Sequence, residues 1–241
     1  MVPVLFFVAV FLAEVIGTTA GFGSSTLLMP VALFFFDFRT SLVLVAFVHA
    51  MGGLSRIVLF RQGIDSHLLL AFGLPSVVFA LFGALLVNYA PQELLVLVLG
   101  AFLVGYAGIG WKGVRIRESV QNKVVGGSLS GFFAGLIGTG GALRSAFLSA
   151  FGLEKSAYIA TAAVVSLAVD VTRIPVYVGS GFLPADLWIV VPVIAVIAVV
   201  GSWCGSRVVR LLPADVFRKW VLVAIALAGV KFVYDGVAYF L

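Results

Sequence analysis

Apolar positions run together along this chain in blocks far longer than a soluble helix or strand needs, and polar residues gather between them. Blocks at 40–60, 67–89 and 94–111 each approach the roughly 20 residues that cross a hydrocarbon core of about 30 Å. Blocks at 156–178, 186–203 and 214–237 do the same. Ahead of each set of three stands a different pattern, a pair of shorter apolar segments parted by glycines. In the first half these are 1–17 and 24–36, around Ala20-Gly21-Phe22-Gly23-Ser24-Ser25-Thr26. In the second they are 124–137 and 142–151, around Ile137-Gly138-Thr139-Gly140-Gly141-Ala142-Leu143. Glycine weakens a helix interior, so each cluster predicts a helix break. Within a bilayer a break is tolerated only where the freed backbone groups face protein, water or ligand. The expectation is an all-α polytopic membrane protein whose two glycine-broken helical hairpins meet at mid-membrane.

The halves share a register. Ser55-Arg56-Ile57 recurs as Thr172-Arg173-Ile174 and Pro75 as Pro192, at the same offset of 117 that relates the two glycine clusters. Gly83 and Gly201 follow at 118. The chain therefore reads as a tandem repeat, 1–111 and 124–241, joined by a basic linker at 112–123. Whether each short pair dips in and out or spans twice, it returns to its starting side. Three further spans then put the second repeat on the opposite side, so the repeats are expected to have inverted topology.

Charge orients the result. Arg61, Lys112, Arg115, Arg117, Lys123, Lys155, Arg207, Arg210, Arg218 and Lys219 collect on one side, against Arg39 and Lys231 on the other. The positive-inside rule makes the first side cytoplasmic, with both termini outside. Trp111, Trp188 and Trp220 fall near helix ends, where an aromatic belt would stand. The segment 1–17 has no Lys or Arg before its apolar core, and its glycine break recurs later, so it is read as structure and not as a cleaved signal peptide. Hydrophobic residues make up 63% of the 241 and charged residues 10%, and mean hydropathy is +1.23, which excludes a soluble globular domain. The net charge of +5 is spread over short loops, which speaks for membrane orientation and against a nucleic-acid surface. A single cysteine, Cys204, makes no internal disulfide and fits no metal-ligand spacing, so neither metal nor cofactor is expected.

A helix that starts inside the membrane presents unpaired N–H groups and about half a positive charge, which suits an anion. Gly21, Gly23, Ser24 and Ser25 open one such start, and Gly138, Thr139, Gly140 and Gly141 the other. Ser24 is placed to cap its helix or to donate to a ligand. Arg144, on the first turn of the second short helix, suits an oxyanion through its forked guanidinium. An ion pair with Glu14 is the structural alternative. Arg56 and Arg173, near opposite faces, either snorkel to the interface or attract the anion from each side. Asp170 and Arg173 are spaced to pair along a helix, and His49 shares a helix face with Arg56. Glu14, His49 and Asp170 are the candidate proton carriers. An intramembrane hydrolase would need Ser24 or Ser25 in hydrogen-bond reach of His49, and the second half holds no copy of that pair. A passive anion channel is the nearer rival to a carrier.

Gly21-Phe22-Gly23 with Pro30 downstream, duplicated as Gly138-Thr139-Gly140-Gly141, resembles the sulfite exporter family TauE/SafE. The resemblance extends over the basic linker and Ala160-Thr161-Ala162. It implies a prokaryotic inner-membrane secondary transporter, an exporter and not an enzyme, for sulfite, sulfoacetate or another organosulfonate. Its partners would be that small anion and the lipid bilayer, with homo-oligomerisation left open. Two departures stand out. Phe147 occupies the position where Pro30 would predict a proline, and Arg144 is foreign to the family pattern, which suggests a pocket particular to a subgroup. With only Cys204 present, a cysteine relay for thiosulfate is not expected.

Overall fold

The structure is a computed structural model that describes residues 2–20, 23–60, 63–112, 116–208 and 214–240. Among these residues there is no strand, and ten helices of eight residues or more follow one another in two sets of five, with short 3₁₀ turns at Ser149–Phe151 and Ala185–Leu187. The first set is α1 (Val4–Ala20), α2 (Ser25–Ala32), α3 (Phe38–Leu59), α4 (Ser66–Leu86) and α5 (Gln92–Lys112). The second is α6 (Val120–Ile137), α7 (Gly141–Leu148), α8 (Lys155–Gly179), α9 (Val190–Val208) and α10 (Ala214–Phe240). Six of the described helices, α3–α5 and α8–α10, contain stretches long and apolar enough to cross a membrane. The chain is thus an all-helical, polytopic membrane protein.

Caps at the polar ends follow from the sequence. Asp37 accepts hydrogen bonds from the Arg39 and Thr40 N–H groups to start α3, and Ser119 accepts one from Asn122 N–H to start α6. At the breaks no side chain caps α2 or α7. Each of these helices is eight residues long, about 12 Å, and cannot span. They are shorter than the apolar segments 24–36 and 142–151 because each ends early in a tight turn, at 33–36 and 149–151. Gly23 (φ +84°) and Gly138 (φ +75°) supply the left-handed backbone that turns the chain between the two arms of each hairpin. The Thr139 hydroxyl donates to Thr26 Oγ1 at 2.8 Å, so the two breaks touch.

In α4 the apolar block is not a regular helix, because Leu69–Gly73 form a π turn immediately before Pro75. Proline has no N–H to return to the preceding turn, and the Ser76 hydroxyl donates to the Phe72 carbonyl there at 2.7 Å.

The packing is laid out so that exchanging the two sets of helices maps it onto itself. The most extensive pairs are α4 with α6, α5 with α10, α1 with α9 and α3 with α8. Under the exchange α1–α9 becomes α6–α4, and α3–α8 and α5–α10 each become themselves. The helix ends show the direction in which the central pair runs. The Thr40 hydroxyl at the start of α3 donates to the Phe182 carbonyl beyond the end of α8 (3.3 Å), and Asp65 N–H ahead of α4 donates to Thr161 Oγ1 near the start of α8 (3.2 Å). The corresponding helices α3 and α8 therefore run in opposite directions. Val2 and Pro3 before α1 line the same cleft as Phe35 and Phe36 after α2, so the first hairpin returns to the side on which it began.

Close approach of α4 and α6 depends on small residues. A Cβ at Gly127, Gly131 or Gly135 of α6 would stand 2.2, 2.0 or 2.1 Å from the carbonyl oxygens of Phe72, Ser76 and Ala80. Lipid tails are as apolar as leucine, so backbone contact of this kind, not exclusion of apolar surface from water, holds such helices together. Gly131→Val should therefore lower the melting temperature of the purified protein strongly, by the equivalent of about 1–3 kcal/mol or more. Gly108→Ala, which meets nothing within 4 Å, should leave it unchanged. Equal melting of the two variants in detergent would remove the packing role of Gly131.

Candidate functional site

Five charged side chains are buried between the two hairpins and the long helices α3 and α8: Glu14, Arg56, Arg144, Asp170 and Arg173. A charge out of water is tolerated only when an opposite charge and hydrogen bonds replace its hydration. Four of the five meet that condition in two separate pairs.

The first pair joins α1 to α3. Arg56 Nη1 donates to Glu14 Oε2 at 3.0 Å and to Thr18 Oγ1 at 3.2 Å. Ser202 of α9 donates to the same carboxylate at 3.2 Å, and Ser24 donates to its other oxygen. Gly52 makes room for the pair, since a Cβ there would stand 2.3 Å from Glu14 Oε2. Ser24 is therefore neither a helix cap nor free to meet a ligand, as its hydroxyl is committed to Glu14. The second pair lies within α8, where Arg173 donates to Asp170 Oδ1 from Nε (2.9 Å) and Nη2 (2.7 Å). Its Nη1 reaches the Ala134 carbonyl, and the Tyr177 hydroxyl donates to the Gly135 carbonyl, tying α8 to α6. The other oxygen of Asp170 accepts from His49 Nδ1 at 2.7 Å. Arg56 and Arg173 thus do not snorkel. They turn inward, at 5% and 1% exposure, to meet carboxylates.

Arg144 is the exception. It is 4% exposed, and among the described residues its guanidinium makes no ion pair and no hydrogen bond. Glu14, the partner considered for it from the sequence, belongs to Arg56. Arg144 lines a cavity of about 20 Å³ together with Gly17, Gly23, Arg56, Ala163 and Ser166. That is room for about one water and too little for a sulfur oxyanion. Gly23 is the point of closest approach of the first break to this group. A Cβ on it would stand 2.6 Å from His49 Nε2 and 3.6 Å from Arg144 Nη2.

Gly23, Ser24, Ser25, Thr139, Gly140, Gly141 and Arg144 all lie at the junction of the two hairpins, and all seven are buried. Gly138 turns away from the cavity, toward Met29 and Leu42. Gly21 lies outside the described residues, as do Arg61, Arg115 and Arg210 of the charge pattern. Three participants escaped the sequence reading. Thr18 and Ser202 are single hydroxyls in apolar runs, distinguishable only once α1 and α9 are known to touch. Tyr177 stands four residues after Arg173, a spacing that puts both on one helix face.

A larger cleft of about 780 Å³ opens where α1, α3 and α9 begin. Among the described residues it is lined by Asp37 and Asp186 and by no cationic side chain, so its charge suits an anion poorly. No group of three or more histidine, cysteine, aspartate or glutamate side chains able to hold a metal occurs among the described residues.

The family model described as Sulfite exporter TauE/SafE matches residues 6–232, nearly the whole chain. The chain belongs to the TauE/SafE sulfite exporter family. Comparison with curated proteins and with solved structures returned no match. Membership of TauE/SafE makes this a multi-pass membrane protein of a transporter family, in agreement with its six membrane-length helices. The buried charges described above lie within the matched region.

The two kinds of buried arginine should respond differently to removal. Glu14→Ala leaves Arg56 buried without its carboxylate and should cost about 3–5 kcal/mol of stability. Arg144→Met removes a charge that has no partner among the described residues, and in anion-free buffer it should leave the melting temperature unchanged or raise it. A melting temperature for Arg144→Met as low as that of Glu14→Ala would show that Arg144 has a structural role.

Proposed function

We propose that this protein is a secondary transporter of a small anion, bound between the two glycine breaks with Arg144 as its principal counter-charge. The observation that carries the reading is the charge balance of the buried centre. Glu14 neutralises Arg56 and Asp170 neutralises Arg173, which leaves one guanidinium over. A buried cation without a partner is expensive, and a monovalent or divalent oxyanion supplies what is missing. The first turns of α2 and α7 start beside it and add N–H groups with no carbonyl a turn behind them. Gly23 lets that backbone come close, and Ser25, Gly138, Thr139, Gly140 and Gly141 complete the junction. Arg56 and Arg173 hold the walls of the site through their carboxylates.

Planar fork geometry favours a sulfite, a sulfonate such as sulfoacetate, or a related oxyanion, and the family description points the same way. The exchange symmetry of the packing and the opposed directions of α3 and α8 support two inverted repeats, 1–111 and 124–241, rocking about the shared site. The cavity of about 20 Å³ is no continuous pore, which favours alternating access over a passive channel. The commitment of the Ser24 hydroxyl to Glu14 speaks against a nucleophilic serine, hence against a hydrolase. Residence in a prokaryotic inner membrane, with the 112–123 linker cytoplasmic and both termini outside, follows from the positive-inside rule and the family. Export is the direction the family description suggests.

A thermal-shift series with sulfite, sulfoacetate, methanesulfonate, sulfate and chloride tests the reading. A ligand at 100 times its Kd stabilises the folded state by about 2.7 kcal/mol, so at least one oxyanion should raise the melting temperature by several degrees. Arg144→Gln should lose that shift while the melting temperature in the absence of anion is retained. An undiminished shift in Arg144→Gln would take Arg144 out of the site.

A further inference from the structure

The geometry points to His49 as the group that takes up a proton when the anion arrives, so that anion and proton are carried together. This inference rests on the anion site at Arg144 and assigns its coupling. Three ionisable groups near the site could exchange a proton during a transport cycle, and their surroundings differ. Glu14 accepts from Arg56, Ser24 and Ser202, so both oxygens are occupied by donors. Asp170 accepts from Arg173 through one oxygen and from His49 through the other. Protonating either carboxylate would leave an arginine buried without its counter-charge. His49 is under no such constraint.

The tautomer of His49 follows from its partner. Asp170 is held ionised by Arg173, so the nitrogen 2.7 Å from its oxygen, Nδ1, must carry the hydrogen. Nε2 therefore bears the lone pair. It is fully enclosed and has no hydrogen-bond partner among the described residues. A buried acceptor left without a donor is costly. What stands near it explains the vacancy of that bond. Nε2 faces Gly23 on the side from which Arg144 approaches, and a Cβ on Gly23 would touch the imidazole at 2.6 Å and lie 3.6 Å from the guanidinium.

The charges around His49 set the coupling. Asp170 of α8, backed by Arg173, favours a proton on the ring. Arg144 of α7 opposes it, and so does Arg56 on the same helix, although Glu14 of α1 screens Arg56. α2 and α9 contribute the uncharged hydroxyls of Ser24 and Ser202, both engaged with Glu14. An anion on Arg144 cancels the largest unscreened repulsion and gives an Nε2–H the acceptor that burial otherwise denies it, so Nε2 gains a proton as the anion binds. Linkage makes the effect reciprocal, and a protonated His49 strengthens anion binding by the same factor. The Nε2–H so formed can donate to the bound oxyanion, and the pair crosses with one unit of negative charge neutralised. The step moves one proton from solvent to Nε2 and breaks no other bond.

Proton counting by calorimetry tests this. Methanesulfonate, sulfoacetate and sulfate do not themselves titrate near pH 7, and Bis-tris and Tris avoid sulfonate buffers that would compete. Titrating the purified protein with each probe in both buffers should show about one proton taken up per anion bound. His49→Asn keeps an amide in place of Nδ1 to hold Asp170 and lacks the second nitrogen. It should still bind the anion, several-fold more weakly, with proton uptake near zero. Binding without proton uptake in the unmodified protein, or uptake that persists in folded His49→Asn, would overturn the inference and leave the anion site standing. No binding of any probe by the folded, unmodified protein would instead overturn the anion site, and this inference with it.

Discussion

The buried guanidinium of Arg144 is the constraint to which the rest of the molecule answers. A bilayer gives no solvation to a cation at mid-depth, so such a residue persists only if the fold surrounds it with protein and something of opposite charge can reach it. The fold answers in two ways. It matches every other buried arginine among the described residues with a carboxylate of its own, Glu14 for Arg56 and Asp170 for Arg173. It also brings two helix starts and a glycine turn up to the one that remains. The surplus charge is therefore localised at a single point, and that localisation is the physical basis of the proposed anion site.

Close backbone contact makes such an arrangement affordable in a chain of 241 residues. On α6, Gly127, Gly131 and Gly135 let α4 come within carbonyl contact. On α9, Gly201 and Gly205 do the same for α1, where a Cβ would stand 3.0 and 2.7 Å from the carbonyls of Phe11 and Val15. These two interfaces correspond to one another under exchange of the halves. They flank the central pair α3 and α8, which carry Arg56, His49, Asp170 and Arg173. The glycines therefore do two separate jobs. Those at the breaks turn the chain, and those inside α6 and α9 press the scaffold around the charges.

Much of this was legible in the order of residues. Six spanning blocks, two broken hairpins and the pairing of Asp170 with Arg173 each follow from local spacing, and the structure has the same helices in the same order. The family resemblance also held, over residues 6–232. Less legible were the partners of the single charged residues. Glu14 could have met Arg144 or Arg56. Ser24 could have capped α2, whereas it bonds Glu14. Thr18 and Ser202 carried no signal at all, because a lone hydroxyl in an apolar run looks the same whether it faces lipid or an ion pair.

Hydropathy and glycine spacing are properties of neighbours along the chain, and a membrane span is decided by its own roughly 20 residues. For that reason the amino-acid order alone determined the class of protein, the number of long helices and the place of the breaks. The identity of each ion pair depended on which helices touch: 42 positions separate Glu14 from Arg56, and 121 separate His49 from Asp170. Only the tertiary structure decided that two carboxylates were already committed and that Arg144 was left without one, since the balance of charge in a buried centre exists only after distant segments have been brought together.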